Sequence, residues 1–136
     1  MKPSVYLAGA INGKDDAEVF GWRREAARQL ADLYTIVDPS ERDFRGIEET
    51  SIEEIVDTDI ADINDVHVLL VRAEAPSWGT AMEVRHAHTQ GIPVVSWGAG
   101  PRPSPWLLYH STHYATLDDA LTALVTIWRE LWATVN

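Results

Sequence analysis

Apolar and polar positions alternate along this chain in a way that sorts it into strands and helices. The clearest unit is Val66-His67-Val68-Leu69-Leu70-Val71, then a polar loop, then an amphipathic stretch from Ser77, then Ile92-Pro93-Val94-Val95-Ser96. Short apolar runs bounded by turn residues read as strands buried on both faces, so this is a βαβ unit. Its loop opens at the carboxyl end of the first strand, where open α/β sheets bind ligands. Upstream, Val5-Tyr6-Leu7-Ala8-Gly9 predicts a first strand, and Ala10 to Asp16 a glycine-containing turn with an Asp cap. Val19, Phe20, Ala26, Ala27 and Leu30 give helical spacing over Ala17 to Leu33, and Tyr34 to Val37 predicts a second strand. Ser40 to Thr50 is polar and has the character of a lid beside a strand end.

Ser51-Ile52-Glu53-Glu54 has the pattern of a capping box opening a further helix. Its apolar stripe is Ile52, Ile55, Val56, Ile60 and Ile63, with Asp59 at a position that the period assigns to an apolar residue. Burying an unpaired carboxylate costs several kcal/mol. Asp59 therefore calls for a partner or a chemical task, and an ion pair near the helix end is the alternative reading. Asp57, Asp62 and Asp65 fall off the stripe, on a solvated face. Trp97 to Pro103 reads as a loop, Ser104-Pro105 as the cap and first position of a short helix, Tyr114-Ala115 as a brief fifth strand, and Leu117 to Ala133 as the closing helix. Strand and helix alternate throughout, which predicts a single domain over 1–136. The fold class is an α/β, Rossmann-like sandwich with a mostly parallel five-stranded sheet.

Composition narrows the chemistry. The chain has 136 residues, 46% hydrophobic and 24% charged, as soluble globular domains do. There is no cysteine, so disulfides and thiolate catalysis are excluded. A net charge of −10 argues against a nucleic-acid polymer as partner, though not against one small anion. No apolar run approaches the ~20 residues of a membrane span, and the start lacks a signal-peptide core, so a cytoplasmic location is expected. His86 and His88 face different ways on a helix, and His110 and His113 have no third ligand near them in sequence, so neither a metal nor a cofactor is expected. Gly9 to Lys14 is one residue short of a phosphate loop and has Asp15 where Ser or Thr belongs, which excludes that motif.

Glu83 lies in the second turn of the helix that Ser77 opens, too far in to close a capping box. Two carboxylates on neighbouring helices, Asp59 and Glu83, both aimed at strand ends, are what glycosidic-bond cleavage requires. The helix N-terminus favours an ionised Glu83, as a nucleophile must be. Ala75-Pro76-Ser77-Trp78-Gly79 also imitates a nucleophile elbow, with His110 or His113 as base. Ser77 lies too far past the strand for that geometry, and a helix N-cap is its simpler role.

At these residues the chain resembles the nucleoside 2-deoxyribosyltransferase superfamily, including its nucleotide N-hydrolase branch. The resemblance is carried by Tyr6-Leu7-Ala8-Gly9-Ala10-Ile11, Gly21-Trp22-Arg23, Asp38-Pro39, Asp59-Ile60 with Asp65, and Ser77-Trp78-Gly79-Thr80-Ala81-Met82-Glu83. It implies a flavodoxin-like sheet and a retaining mechanism. Glu83 would be the nucleophile that attacks C1′, Asp59 the acid that contacts or protonates the departing base, and Tyr6 the residue that orients Glu83. Substrate binding would fall to Gly9, Ala10 and Asn12 of the first loop, to Trp22, Arg23 and Asp38, and to Ser77, Gly79 and Met82. Ser104 would reach the pocket from a partner subunit, since members are commonly dimers or larger.

The branch is set by the 5′ end of the substrate. Transferases of unphosphorylated nucleosides have Asp six residues before the nucleophile, whereas Ser77 matches the serine with which the hydrolases hold a 5′-phosphate. The hydrolases' first loop reads Gly-Ser-Ile-Arg, and here it is Gly9-Ala10-Ile11-Asn12, so two phosphate ligands are missing. Arg23, Lys14 or Arg102 would have to compensate. The expected activity is hydrolysis of the N-glycosidic bond of a nucleoside 5′-monophosphate. Base exchange on a deoxyribose is the alternative, and a nucleotide-sensing module without turnover is the alternative of another class.

Overall fold

The computed structural model describes all 136 residues. Five strands, β1 (Ser4–Ala8), β2 (Thr35–Val37), β3 (Val68–Arg72), β4 (Val94–Trp97) and β5 (Thr112–Tyr114), form one sheet in the order β2-β1-β3-β4-β5. Every neighbouring pair is parallel, with Tyr6 opposite Val37 on one side and Leu69 on the other. Five helices connect and flank them: α1 (Asp16–Leu30), α2 (Ile52–Asp65), α3 (Trp78–Thr89), α4 (Pro105–His110) and α5 (Leu117–Val135). This strand order is that of flavodoxin-like folds, whose switch point between β1 and β3 opens a crevice at the strands' carboxyl ends.

Side-chain alternation along β1 and β3 divides the core in two. Val5, Leu7, Val68 and Leu70 pack with Ala26 and Leu30 of α1 and with Leu121 and Leu124 of α5. Tyr6, Ala8, Leu69 and Val71 face the other way, onto Ile63 of α2 and Val84 and Ala87 of α3. Burying each valine, leucine or isoleucine among them stabilises the fold by roughly 1.5–3 kcal/mol. Two polar atoms pin the first layer: the Tyr34 hydroxyl donates to the Leu124 carbonyl at 2.6 Å, and Trp128 Nε1 to that of Leu33 at 2.8 Å.

Several local expectations change. Asp15 caps α1 by accepting from the Glu18 amide at 2.9 Å, as its position suggests, but the helix stops at Leu30. Trp97 ends β4 and is buried, and β5 starts at Thr112, two residues before Tyr114. Ser51 makes no side-chain cap bond, because it closes a 3-10 turn (Glu48–Thr50) and has φ −128° and ψ 18°, not the extended conformation of a capping serine. The stripe of α2 is only partly inside: Ile63 is fully buried, whereas Ile52 and Val56 are more than half exposed. No helix is long and apolar enough to cross a membrane.

Candidate active site

The crevice is filled from three directions. Tyr6 belongs to β1 and is fully buried, Asp59 projects from α2, and Glu83 from α3. The Tyr6 hydroxyl donates a hydrogen bond to Glu83 Oε2. Asp59 and Glu83 line one small pocket of about 100 Å³ together with Gly9, Asn12, Ser77 and Gly79. Six residues predicted from sequence therefore meet in one place around the Tyr6–Glu83 bond.

Burial dominates the electrostatics. Glu83 keeps some solvent contact as a residue, but desolvation of its carboxylate outweighs all else and pushes its pKa up to about 7. The Tyr6 hydrogen bond and the Arg23 charge pull it down, while the charge of Asp59 adds to the rise. The expected benefit from the helix N-terminus is thus outweighed, because Glu83 sits past the first turn in which that field acts. Desolvation, then the charges of Glu83 and Asp59, hold the Tyr6 hydroxyl far above the ordinary range, so it remains a donor. Burial likewise raises Asp59, against the opposing pull of Arg42.

Arg42 was not singled out from sequence, and it is the pocket's cation. It follows the 3-10 turn Pro39–Glu41 and sends Nη2 to Asp59 Oδ1 at 3.0 Å and to Asp62 Oδ2 at 2.8 Å. The ion pair expected for Asp59 is present, though in the middle of α2 and not near its end, and it is compatible with a place in the pocket. Asp62, expected on a solvated face, shares the same cation. The available signal was a pair of acids three apart on a helix with no cation beside them in sequence. The 40–50 loop is tied down rather than free: Arg45 bonds Asp16 at 2.7 Å, Asp43 at 2.7 Å and the Lys14 carbonyl at 3.0 Å. Phe44, Ile11, Pro39, Ile55 and Thr80 complete the lining and carried no individual signal.

Other expected binding residues support the pocket from below or lie outside it. Arg23 is 1% exposed and committed to carbonyls, donating to Val19 at 2.7 Å, Gly9 at 3.0 Å and Leu7 at 3.3 Å. It also stands 3.5 Å from Asp38, which itself accepts from the Ser40 amide at 2.9 Å. Arg23 and Asp38 thus join the ends of β1 and β2 and are not among the lining residues. Trp22 is buried edge-on against Trp97 and underlies Gly9, where a Cβ would come within 3.0 Å of the Trp22 ring. Ala10 is buried with no polar side chain to offer. Lys14 stands 3.9 Å from Glu18, and Arg102 is exposed and outside the lining.

A second cavity, about 810 Å³, lies across the N-terminus of α3. Ser77 and Thr80 border both spaces, but Glu83 and Asp59 border only the small one. The large groove is walled by Trp78, Ala81, Trp106 and Leu107, with Ser104 at the start of α4. Trp78 and Trp106 are 85% and 77% exposed, and Met82, expected to bind substrate, is 64% exposed and lines neither space. Ser77 Oγ accepts from the Thr80 amide at 3.3 Å, which is the N-cap role. His110 Nδ1 donates to the Trp106 carbonyl and its Nε2 faces Arg85, while His113 bonds Ser96 and the Gly98 carbonyl. Neither histidine reaches Ser77, so the serine-hydrolase reading lacks its base.

No family model and no curated protein matches the chain. Solved structures do. A 2-deoxyribosyltransferase from the psychrotolerant bacterium Bacillus psychrosaccharolyticus aligns at 18% identity and TM-score 0.68, over 87% of this chain and 90% of that one. The CMP N-glycosidase BcmB of Clostridium botulinum aligns at 16% identity and TM-score 0.62, over 90% and 98%. A conserved protein from Enterococcus faecalis V583 gives 17% and 0.69, over 93% and 99%. At such identities the likeness establishes a shared fold over nearly the whole chain.

Proposed function

We propose that the chain is an N-glycosidase of the nucleoside 2-deoxyribosyltransferase superfamily. It cleaves a nucleoside 5′-monophosphate, or a nucleoside, and uses water as the acceptor. The observation that carries this reading is the buried Tyr6 hydroxyl bonded to Glu83 in a pocket shared with Asp59. Glu83, as carboxylate, attacks C1′ of the sugar; the C1′–N bond breaks and its electron pair leaves with the base. Asp59 contacts the departing base, which takes up a proton. Water then adds to C1′ and releases a proton, replacing the one the base took up, while the C1′–O bond to Glu83 breaks and the carboxylate is regenerated. Tyr6 orients Glu83 and counters the rise that burial imposes. No group beyond these side chains and water is needed.

Ser77 and the first turn of α3 are suited to the 5′ end, since helix N-termini leave amides unpaired. Base exchange on a deoxyribose is supported by the first loop, where buried Ala10 supplies no phosphate ligand. The exposed apolar residues of adjacent α2, α3 and α4, among them Ile52, Val56, Met82, Trp106 and Tyr109, support a homodimer. In it Ser104, which borders the groove and not its own chain's pocket, would serve the neighbouring site.

One chromatographic screen tests the reading. Ribo- and deoxynucleosides and their monophosphates are incubated with and without a second free base. Free base alone means hydrolysis, a new nucleoside means exchange, and binding without any product means a sensing module. Cleavage that survives Glu83→Ala at more than a trace eliminates the nucleophile.

A further inference from the structure

Arg42 uses its guanidinium in an unusual way. A single nitrogen, Nη2, hydrogen-bonds Asp59 Oδ1 and stands in ion-pair contact with Asp62 Oδ2, whereas a carboxylate usually takes two nitrogens of the fork. Nη1 makes no hydrogen bond within the chain, and Nε is buried without a partner. Asp59 in turn spends Oδ1 on Arg42, which leaves Oδ2 without an arginine partner while the Tyr6 hydroxyl stands close by. Asp62 anchors the cation from outside the pocket, so the pair is held even when a ligand engages its pocket side.

The geometry points to Arg42 as the specificity-determining residue of this pocket. Arg42 and Asp59 together present a donor beside an acceptor, which selects a leaving base whose ring acceptor adjoins an exocyclic amino group. Cytosine offers that edge with N3 and the 4-amino group, and adenine with N1 or N7 and the 6-amino group. Uracil and hypoxanthine replace the amino group by a carbonyl and protonate the adjoining Watson–Crick nitrogen, so N–H meets Arg42 and C=O meets the Asp59 carboxylate. Such a mismatch leaves buried polar groups unpaired and is strongly selective. The same contact aids the reaction, because the base departs with the electron pair of the C1′–N bond and Arg42 is the only cation lining the pocket. This inference rests on the N-glycosidase reading for its ligand class.

Binding is measured by calorimetry on Glu83→Gln, which holds nucleotides without consuming them, for CMP against UMP and AMP against IMP. At least one amino-bearing member is expected to bind about 10- to 100-fold tighter than its carbonyl partner, the range of one good bidentate contact. Adding Arg42→Ala should reduce that ratio to within about threefold, and Arg42→Lys, which keeps charge but not the fork, should leave an intermediate ratio. Melting curves identify a variant that has lost the fold, in which case the Arg42→Lys ratio decides. Equal binding of both members, no binding of any of the four, or a preference that survives loss of Arg42 overturns the inference. An amino preference that depends on Arg42 in a protein that cleaves nothing upholds it and removes the glycosidase reading instead.

Discussion

The two spaces on either side of the α3 N-terminus differ in size about eightfold and in how their charged groups are arranged. The large one, about 810 Å³, mixes tryptophan, leucine and alanine with Arg72, Glu74, Arg85 and His110, and no acid of α2 lines it. The small one, about 100 Å³, brings together a guanidinium and two carboxylates, one of them the glutamate that Tyr6 binds. On the proposed reading, volume marks where something docks, and the facing carboxylates mark where bonds change. The same helix turn borders both, with Ser77 and Thr80 on each wall.

Substitutions test that division. Glu83→Ala should lower kcat by at least about a thousandfold, the scale on which enzymes lose a nucleophile. Asp59→Asn should cost about a hundredfold or more in kcat with the melting temperature little changed; unfolding would instead make Asp59 a purely structural partner of Arg42. Tyr6→Phe removes the hydrogen bond that lowers the Glu83 pKa. Since attack needs the carboxylate, the acidic limb of the rate profile, near pH 7, should move to higher pH. In the groove, Trp106→Ser should weaken self-association and raise KM by less than about tenfold, the scale of a contact outside the chemistry. A larger fall in kcat there would mean that the groove belongs to the reaction.

Stability offers a quieter contrast. Glu83 has its pKa raised from 4.5 to about 7 on folding, so it binds its proton more tightly in the folded state. The folded protein is thus favoured at low pH and loses that advantage as pH rises through 7. Glu83→Gln is free of this penalty and should be more stable than the wild type by about 3 kcal/mol above pH 7, with the difference vanishing below about pH 4.5. Denaturant titrations at pH 4 and pH 8 measure it. The pocket is then a place where stability is given up for reactivity, and the groove offers no such exchange.

Legibility differed between these regions for physical reasons. The alternation of strands and helices and the approach of Asp59 and Glu83 to one sheet end were legible from period and spacing, whereas the flavodoxin-like sheet and the place of Tyr6 were legible only through the resemblance. Arg42 was not legible, because its partners lie across a loop and on another helix, and no local pattern records a contact over 17 positions. Arg23 had the right residue type for an anion ligand, but its burial against three carbonyls is a tertiary fact. The α2 stripe misled in the opposite direction. Helical spacing identifies an apolar face, but it does not say whether the chain's own core covers that face.

The tryptophans described on the two walls also make the protein its own optical probe. Trp22 and Trp97 lie buried against each other under the first loop, while Trp78 and Trp106 stand in water at the groove. Indole emission shifts to shorter wavelength as water is withdrawn from it, so anything that covers the groove should move the red component of the spectrum. Occupation of the carboxylate pocket alone should leave that component in place. Two events a few ångströms apart can therefore be followed separately, in the native chain and without an added label.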